Sequence, residues 1–228
     1  MQLKILSWNI WYHGNFAPIA AFLKASDADI IGLQELVLDD PERDTVGYLK
    51  KFGYDAVCAP VKKLEDGRTM CNAIFSKHKI IARETFILSE AKSRNAVRAD
   101  IQAGETTLHV FSTHLLHTDQ KPSAIQDEQV DNLIKVLPSD HTIVMGDFNA
   151  TPDSSVIQKM RAVMEDTELR LVPTLNADLF DCPECDAKSI ASTRLDYIFT
   201  SKDMKTSTFK VEHENGSDHF PVSILIEI

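Results

Sequence analysis

Cysteine is scarce in this chain. Its 228 residues include four, Cys58, Cys71, Cys182 and Cys185, too few to staple a protein of this length into a disulfide scaffold. Cys182-Pro183-Glu184-Cys185 is a lone CxxC with no second CxxC and no HxxxH beside it. A structural zinc site needs two more ligands at compatible spacing, so the pair reads as a loop with free thiols; half a zinc site and a redox pair are the alternatives. Positive charge is short as well. The formal net charge of −10 argues against a surface that clamps polyanions by charge alone, though a local basic rim can sit on an acidic protein. Long apolar runs are missing: nothing approaches the ~18 residues of a spanning helix. The start, MQLKILSWNIWYHG, has one lysine and few apolar residues before Asn9, unlike a signal peptide. The expected location is cytoplasmic. Linkers, internal repeats and low-complexity segments are absent too, so residues 1–228 are expected to form a single domain, and 43% hydrophobic content supports a substantial core.

What is present reads as alternating elements. Leu3–Ile10 predicts a strand that ends at a polar His13-Gly14 loop. Asn15–Ala25 predicts a helix with Ile19, Phe22 and Leu23 on one face, Asn15 as its cap and Pro18 in its first turn. Ile30, Ile31 and Leu33 form a short buried strand, followed abruptly by Gln34 and Glu35. This βαβ order favours parallel pairing and sites at the carboxyl ends of strands. Glu42–Phe52 predicts a helix closed by Gly53, and Tyr54–Pro60 a strand before the Asp66-Gly67 hairpin turn. Strands are expected over Ala73–Ser76, Ile80–Leu88, Ala96–Ile101 and Thr106–Thr113, then a helix over Pro122–Leu137. Thr142–Asp147 is a buried strand that runs into Gly146, Asp147 and Asn149. A helix over Ser154–Glu165 follows, then an irregular stretch from Asp166 to Ser192. Strands Arg194–Thr200, Thr206–Val211 and Phe220–Ile228 close the chain.

Five segments thus end in polar residues where a buried strand should stop: Asn9, Gln34 with Glu35, His114, Asp147 with Asn149, and Asp218 with His219. Strand period two aims Asp147 and Asn149 one way and Phe148 the other. Asp196, between Leu195 and Ile198, is costly to bury without a partner, and a histidine is the obvious one. Carboxylates and amides without clustered cysteines suit a hard cation such as Mg2+ or Mn2+. An aspartate beside a histidine fixes its tautomer and stabilises imidazolium. A metal, a positioned water and an Asp-held His together point to hydrolysis of a phosphate ester.

Six segments, LSWNI (Leu6–Ile10), DIIGLQEL (Asp29–Leu36), STHL (Ser112–Leu115), GDFNATPDS (Gly146–Ser154), RLDYIF (Arg194–Phe199) and GSDHFPV (Gly216–Val222), resemble the ordered motifs of the endonuclease/exonuclease/phosphatase superfamily, the DNase I-like fold. Each is weak alone; six in order over nearly the whole chain are specific. The resemblance implies an α/β fold, a four-layer α/β/β/α sandwich of two mixed sheets with outer helices. It implies that Glu35 is the main metal ligand, with Asn9 and Asp218 nearby. It makes Asp147 the group that orients or deprotonates the attacking water, and gives the phosphate or water to Asn149. His219, paired to Asp196, would contact the phosphate and stabilise the transition state. His114 matches a position that is histidine in DNase-like and sphingomyelinase-like members and tyrosine in abasic-site nucleases. The implied reaction is in-line attack by water without a covalent intermediate.

The turn Trp11-Tyr12-His13-Gly14 after Asn9 departs from the abasic-site nucleases and is nearer the branch of tyrosyl-DNA phosphodiesterases and sphingomyelinase-like enzymes. The expectation is a Mg2+- or Mn2+-dependent hydrolase, a phosphodiesterase by preference, acting as a monomer on a phosphate ester that is nucleic acid or lipid-derived. The alternatives are a nuclease acting on DNA or RNA ends or lesions, and a catalytically inactive module that binds phosphate ligands. Plainer roles stand beside the site roles. Asp147 and Asn149 alone would suit an Asx turn, and Asn72 a simple turn. Arg98 would reach phosphate or pair with Asp100 or Glu105. His117 reads as a solvated loop residue. Trp11, Tyr12 and His13 would form a stacking rim or belong to the core.

Overall fold

The structure, a computed structural model, describes residues 1–90, 93–180 and 192–228. Two six-stranded mixed sheets stack face to face. The first holds β1 (Gln2–Asn9), β2 (Ile30–Leu38), β3 (Asp55–Lys63), β4 (Thr69–Ser76), β11 (Lys205–Val211) and β12 (Val222–Glu227), in the order β11-β12-β1-β2-β4-β3. The second holds β5 (Lys79–Ser89), β6 (Arg94–Ala103), β7 (Thr106–His114), β8 (Thr142–Asp147), β9 (Glu165–Asp166) and β10 (Asp196–Thr200), in the order β5-β6-β7-β8-β10-β9. The parallel pairs β1/β2 and β7/β8 are the two whose connections carry helices α1 (Phe16–Ser26) and α3 (Ala124–Ile134). A parallel pair needs such a crossover.

Strand alternation sorts the side chains into layers. On β1, Leu3 and Ile5 face the other sheet, while Leu6 and Trp8 face α1 and α2 (Thr45–Lys50), where Ile19, Leu23 and Leu49 wait. On β8, Ile143 and Met145 face inward; Val144, and Phe148 just beyond the strand, pack on Val130, Leu133, Ile157 and Met160 of α3 and α4 (Ser155–Val163). The result is the expected sandwich of helix, sheet, sheet and helix.

At one end the inward faces turn polar. Ser7, Asn9, Gln34, Asn72, Asn95, Ser112, His114, Asp147 and Asp196 are all buried there. Several are cross-sheet ties. Gln34 Nε2 on β2 donates to Ser112 Oγ on β7 at 3.0 Å, and Asn72 Nδ2 on β4 donates to the Asn95 carbonyl and Oδ1 on β6, both at 3.1 Å. The sheets are therefore pinned together beside the open end.

Three local expectations are corrected. The helix over Glu42–Phe52 is split into a 3-10 turn, Pro41–Arg43, and α2, because Asp44 (φ −68°, ψ 72°) leaves the helical region to cap Gly47 N at 2.8 Å. The strand expected to stop near Leu33 runs on to Leu38 through a bulge, where the β2/β4 register shifts between Leu33 and Leu36. Third, Asp166 at the head of the irregular stretch pairs in a two-residue strand with Phe199. The Cys182/Cys185 pair lies outside the described residues. Among those residues, no helix is long and apolar enough to cross a membrane.

Gly146 (φ 151°) is required where β8 crosses β7: a Cβ there would sit 1.9 Å from the Thr113 carbonyl oxygen. Gly146→Ala is expected to destabilise by roughly 3 kcal/mol, the upper end for a point change, read from urea unfolding midpoints.

Candidate active site

The open end gathers the carboxyl ends of β1, β2, β7 and β8 with the loop before β12. Asn9 ends β1. Its Nδ2 donates to Asp147 Oδ2 at 3.0 Å and to Glu35 Oε1 at 3.4 Å, while its Oδ1 accepts from Trp11 N at 3.0 Å. Glu35 sits in the β2 bulge in the left-handed region (φ 57°), which swings its carboxylate out of the strand's alternation; Tyr12 N donates to Oε2 at 3.1 Å. Asp147 ends β8, and its Oδ1 accepts from Asn149 N at 2.8 Å. That bond goes with a left-handed Asn149 (φ 49°), a conformation Asn tolerates. Asn149 Nδ2 reaches His114 Nε2 at 2.9 Å, Leu115 O at 3.2 Å and Asp147 Oδ2 at 3.3 Å.

His219 Nδ1 bonds Asp196 Oδ2 at 2.8 Å, and its Nε2 stands 3.7 Å from Asp147 Oδ2. With Nδ1–H given to Asp196, Nε2 is the nitrogen turned to the cleft; the tautomer follows from these partners. The histidine is braced on three sides. Trp8 Nε1 donates to its carbonyl at 2.8 Å, and its own N–H donates to Ser217 Oγ at 3.2 Å. Leu175 pairs with it as a β-bridge. Ser217 Oγ in turn donates to the Asn9 carbonyl at 2.7 Å, tying the loop before β12 to the end of β1. On the other side, Thr174 Oγ1 accepts from Leu195 N and Asp196 N at 3.0 and 3.1 Å. Asp218 is half-buried, and Ser217 Oγ lies 3.2 Å from its Oδ1.

Burial pushes Asp147 up to about 7, with His219 opposing and Asp196 adding to the rise. For His219, burial alone would favour the neutral ring, but Asp196 and Asp147 override it and hold the imidazole well above its usual value. Asp218 is raised by burial and by the negative charge of Glu35, with His219 pulling the other way. Burial, then the charges of Arg94 and His219, hold His114 well below 6.5 and neutral. Its Nε2 accepts from Asn149, and its buried Nδ1 has no partner, with Glu35 Oε1 3.8 Å away.

All eight residues expected at a site, Asn9, Glu35, His114, Asp147, Asn149, Asp196, Asp218 and His219, are therefore at one end of the sandwich. Of the lesser candidates, Arg98 pairs with Asp100 at 2.7 Å on β6, beside His109, and has no part in the cleft. Asn72 is a cross-sheet tie. Tyr12 reaches the site through its backbone, and Trp11 and His13 flank it at the rim. His117 is the solvated loop residue expected, and in addition it bonds Asn149 Oδ1 through Nδ1 at 3.0 Å and Asp119 through Nε2 at 2.9 Å. Sequence reasoning missed Ser217, Thr174 and Arg94. Ser217 was visible as the small residue between Gly216 and Asp218; Thr174 gave no signal in an irregular stretch. A cavity of about 560 Å³ lined by Val37, Asp39, Asp44 and Cys58 holds none of these groups.

Asp147, Asp196 and His219 offer ligand atoms within 4.8 Å of one another, a buried acidic and histidine group able to hold a metal ion. Glu35 and Asp218 repel each other at the same end, and the His114 Nδ1 beside Glu35 is unpartnered. Crowded carboxylates with amide neighbours fit a hard divalent cation, which would offset their repulsion. Asn9 could share its oxygen with such an ion only alongside the Trp11 N–H bond.

The fold has solved counterparts. An endonuclease/exonuclease/phosphatase from Beutenbergia cavernae superposes with a TM-score of 0.81 at 19% identity, over 100% of this chain and 72% of that one. A Bacteroides thetaiotaomicron mannosyl-6-phosphatase superposes at 0.71 and 19% identity, over 99% and 100% of the two chains. The human Nocturnin catalytic domain, solved with a bound sulfate anion, superposes at 0.75 and 19%, over 99% and 94%. No curated protein matches the sequence. Residues 6–219 match the Endonuclease/Exonuclease/phosphatase family, a span from the strand that ends in Asn9 to His219 itself, and the chain belongs to that family.

Proposed function

We propose that the chain is a divalent-metal-dependent hydrolase of phosphate esters that works by in-line attack of an activated water. Members of the family are hydrolases of phosphate esters, and two of the superposed proteins are named for a phosphatase activity and for a bound sulfate. The observation that carries the reading is the line Asp147, His219, Asp196: a carboxylate poised near neutrality, 3.7 Å from an imidazole that a second, buried carboxylate holds at 2.8 Å.

The roles follow from that line. Asp147 accepts a proton from the attacking water as the new P–O bond forms and the ester P–O bond breaks, a task that suits a pKa near working pH. Asn9 and Asn149 hold the Asp147 carboxylate in place through their N–H groups. His219, charged and oriented by Asp196, gives Nε2–H to a phosphoryl oxygen and stabilises the charge that builds there. Mg2+ or Mn2+, held by Glu35 with Asp218 and Asn9 beside it, would supply electrostatic stabilisation of the phosphoryl oxygens. Diesters, lipid-derived or nucleic, and monoesters all present such oxygens.

The test is a panel of phosphomonoesters, lipid diesters, nucleotides and oligonucleotides, run with Mg2+ or Mn2+ and again with EDTA. Hydrolysis that EDTA abolishes and added metal restores is expected. A blank panel with tight phosphate binding would replace this reading with a catalytically inactive binding module. Cleavage of oligonucleotides alone would narrow it to a nuclease.

A further inference from the structure

The arginines of this acidic chain are almost all occupied. Arg43 donates to the Trp11 and Tyr12 carbonyls, and six others are bonded to carboxylates. Arg94 is the exception among the described residues. It makes no hydrogen bond and no ion pair, and its Nε is shut off from solvent without an acceptor. An uncompensated cation held partly out of water is costly, so its retention calls for an occupant.

Its position says what kind. Arg94 opens β6; because Ala96 pairs with Thr113 on β7, Arg94 lies two residues further toward the end that carries His114. Its charge presses on His114 and is drawn by Asp147 and Glu35. Across the mouth, Lys62 near the end of β3 acts on the same histidine. Its ammonium is 5.9 Å from the Tyr12 ring, and among the described residues it too makes no ion pair. Lys62 and Tyr12 line a cleft of about 440 Å³ that also holds His13, Lys63 and Asp66. Arg94 and Lys62 are thus two cationic groups at the mouth that no carboxylate among the described residues pairs with.

We propose that Arg94, with Lys62 beside it, is an anion clamp that binds the terminal oxygens of a phosphomonoester, making a terminal phosphate the preferred substrate class. This rests on the phosphoesterase reading. A diester has two non-bridging oxygens, for which a bound cation and His219 would suffice. A monoester has a third, and above its second pKa near 6 it carries a second negative charge. Arg94 supplies the donors and the charge for that third oxygen. A diester would place an esterified oxygen against it and leave a half-buried guanidinium unsatisfied, which discriminates more strongly than shape alone.

The test uses the full chain with Mg2+ and two substrates with one leaving group, p-nitrophenyl phosphate and bis(p-nitrophenyl) phosphate. The wild type is expected to show the higher kcat/KM on the monoester. R94A should lower that value about 100-fold and the diester value less than about fivefold, as expected for losing a charged hydrogen bond on one substrate only. Inorganic phosphate should inhibit R94A about tenfold more weakly, and R94K should recover part of the loss through KM. The melting temperature of R94A should not fall, since the guanidinium holds no partner among the described residues and its burial is itself a cost. Equal losses on both esters, no loss on either, a wild-type preference for the diester, or a loss of stability with activity would each overturn the clamp. EDTA-sensitive hydrolysis of either ester would still leave the phosphoesterase reading in place.

Discussion

Alanine at His219 is expected to lower kcat about 1,000-fold on any phosphate ester the chain hydrolyses, with KM changed far less. The size follows from losing a positioned charged donor to the phosphoryl group, a contribution made mainly in the transition state. The three braces on His219, from Trp8, Ser217 and Leu175, are to its backbone and survive the substitution. Buried Asp196 loses its partner, however, so the rates are compared at a temperature where circular dichroism shows the variant folded. Rates within tenfold of wild type in single-turnover measurements would remove His219 from the mechanism. Asp196→Asn tests the same pair from the other side and adds a pH signature. The folded pKa of His219 lies above the ordinary value of 6.5. The stability contributed by the pair is therefore fully present below about pH 6.5 and is lost as pH rises through the folded value. Denaturant melts from acid to alkaline pH should show that decline in the wild type and a flatter profile in Asp196→Asn.

Asp166→Ala is expected to cost about 3–5 kcal/mol of stability, the penalty for stranding a buried charge. Arg194 has no exposed side-chain surface, and its NH2 contacts Asp166 Oδ1 at 2.7 Å. Arg161 reaches the other oxygen of the same carboxylate at 2.7 Å. With Asp166 gone, Arg194 keeps, among the described residues, only the Glu168 carbonyl and the faces of Tyr197 and Phe209. A fall of about 10 °C in Tm is the expected reading. The neighbouring ion pair makes a sharp contrast. Arg170, on Glu168, is 77% exposed on its side chain, so Arg170→Ala should cost less than about 1 kcal/mol. Equal losses from the two substitutions would mean that burial does not set their worth.

Most of the site was legible because Asn9, His114 and Asp147 close buried strands, and Asn149, Asp218 and His219 sit in the loops beside them. Period two fixes which way Asn9, His114 and Asp147 point, and an apolar run that stops on a polar residue marks an open end. The pairing of Asp196 with His219 was legible for a different reason: a carboxylate amid Leu195 and Ile198 demands a partner. What was hidden depends on backbone that breaks these periods. The β2 bulge reverses the alternation at Glu35, and nothing in IIGLQEL signals it. The split at Asp44 hides because capping Gly47 competes with helix continuation. The link from solvated His117 to the site was hidden because it is a bond to the Asn149 side chain, which depends on the αL turn at Asn149. Arg94 is invisible to sequence reading for a plainer reason, since the absence of a partner is a property of three-dimensional surroundings. Most strand ends moved by a few residues in the structure, from Ala73 back to Thr69 and from Arg194 on to Asp196 for example, as is usual where pairing rather than propensity sets the ends.

The bond from the Trp8 indole to the His219 carbonyl also gives the protein an optical voice. The chain has two tryptophans; the first lies beneath the histidine loop and the second, Trp11, lines the rim next to Asn9. Intrinsic fluorescence thus comes from one indole at the rim and one bonded to the backbone of the histidine loop. A shift in its wavelength or intensity reports events there, such as a ligand settling, an ion arriving or the loop before β12 loosening, without a label and without a reaction to follow.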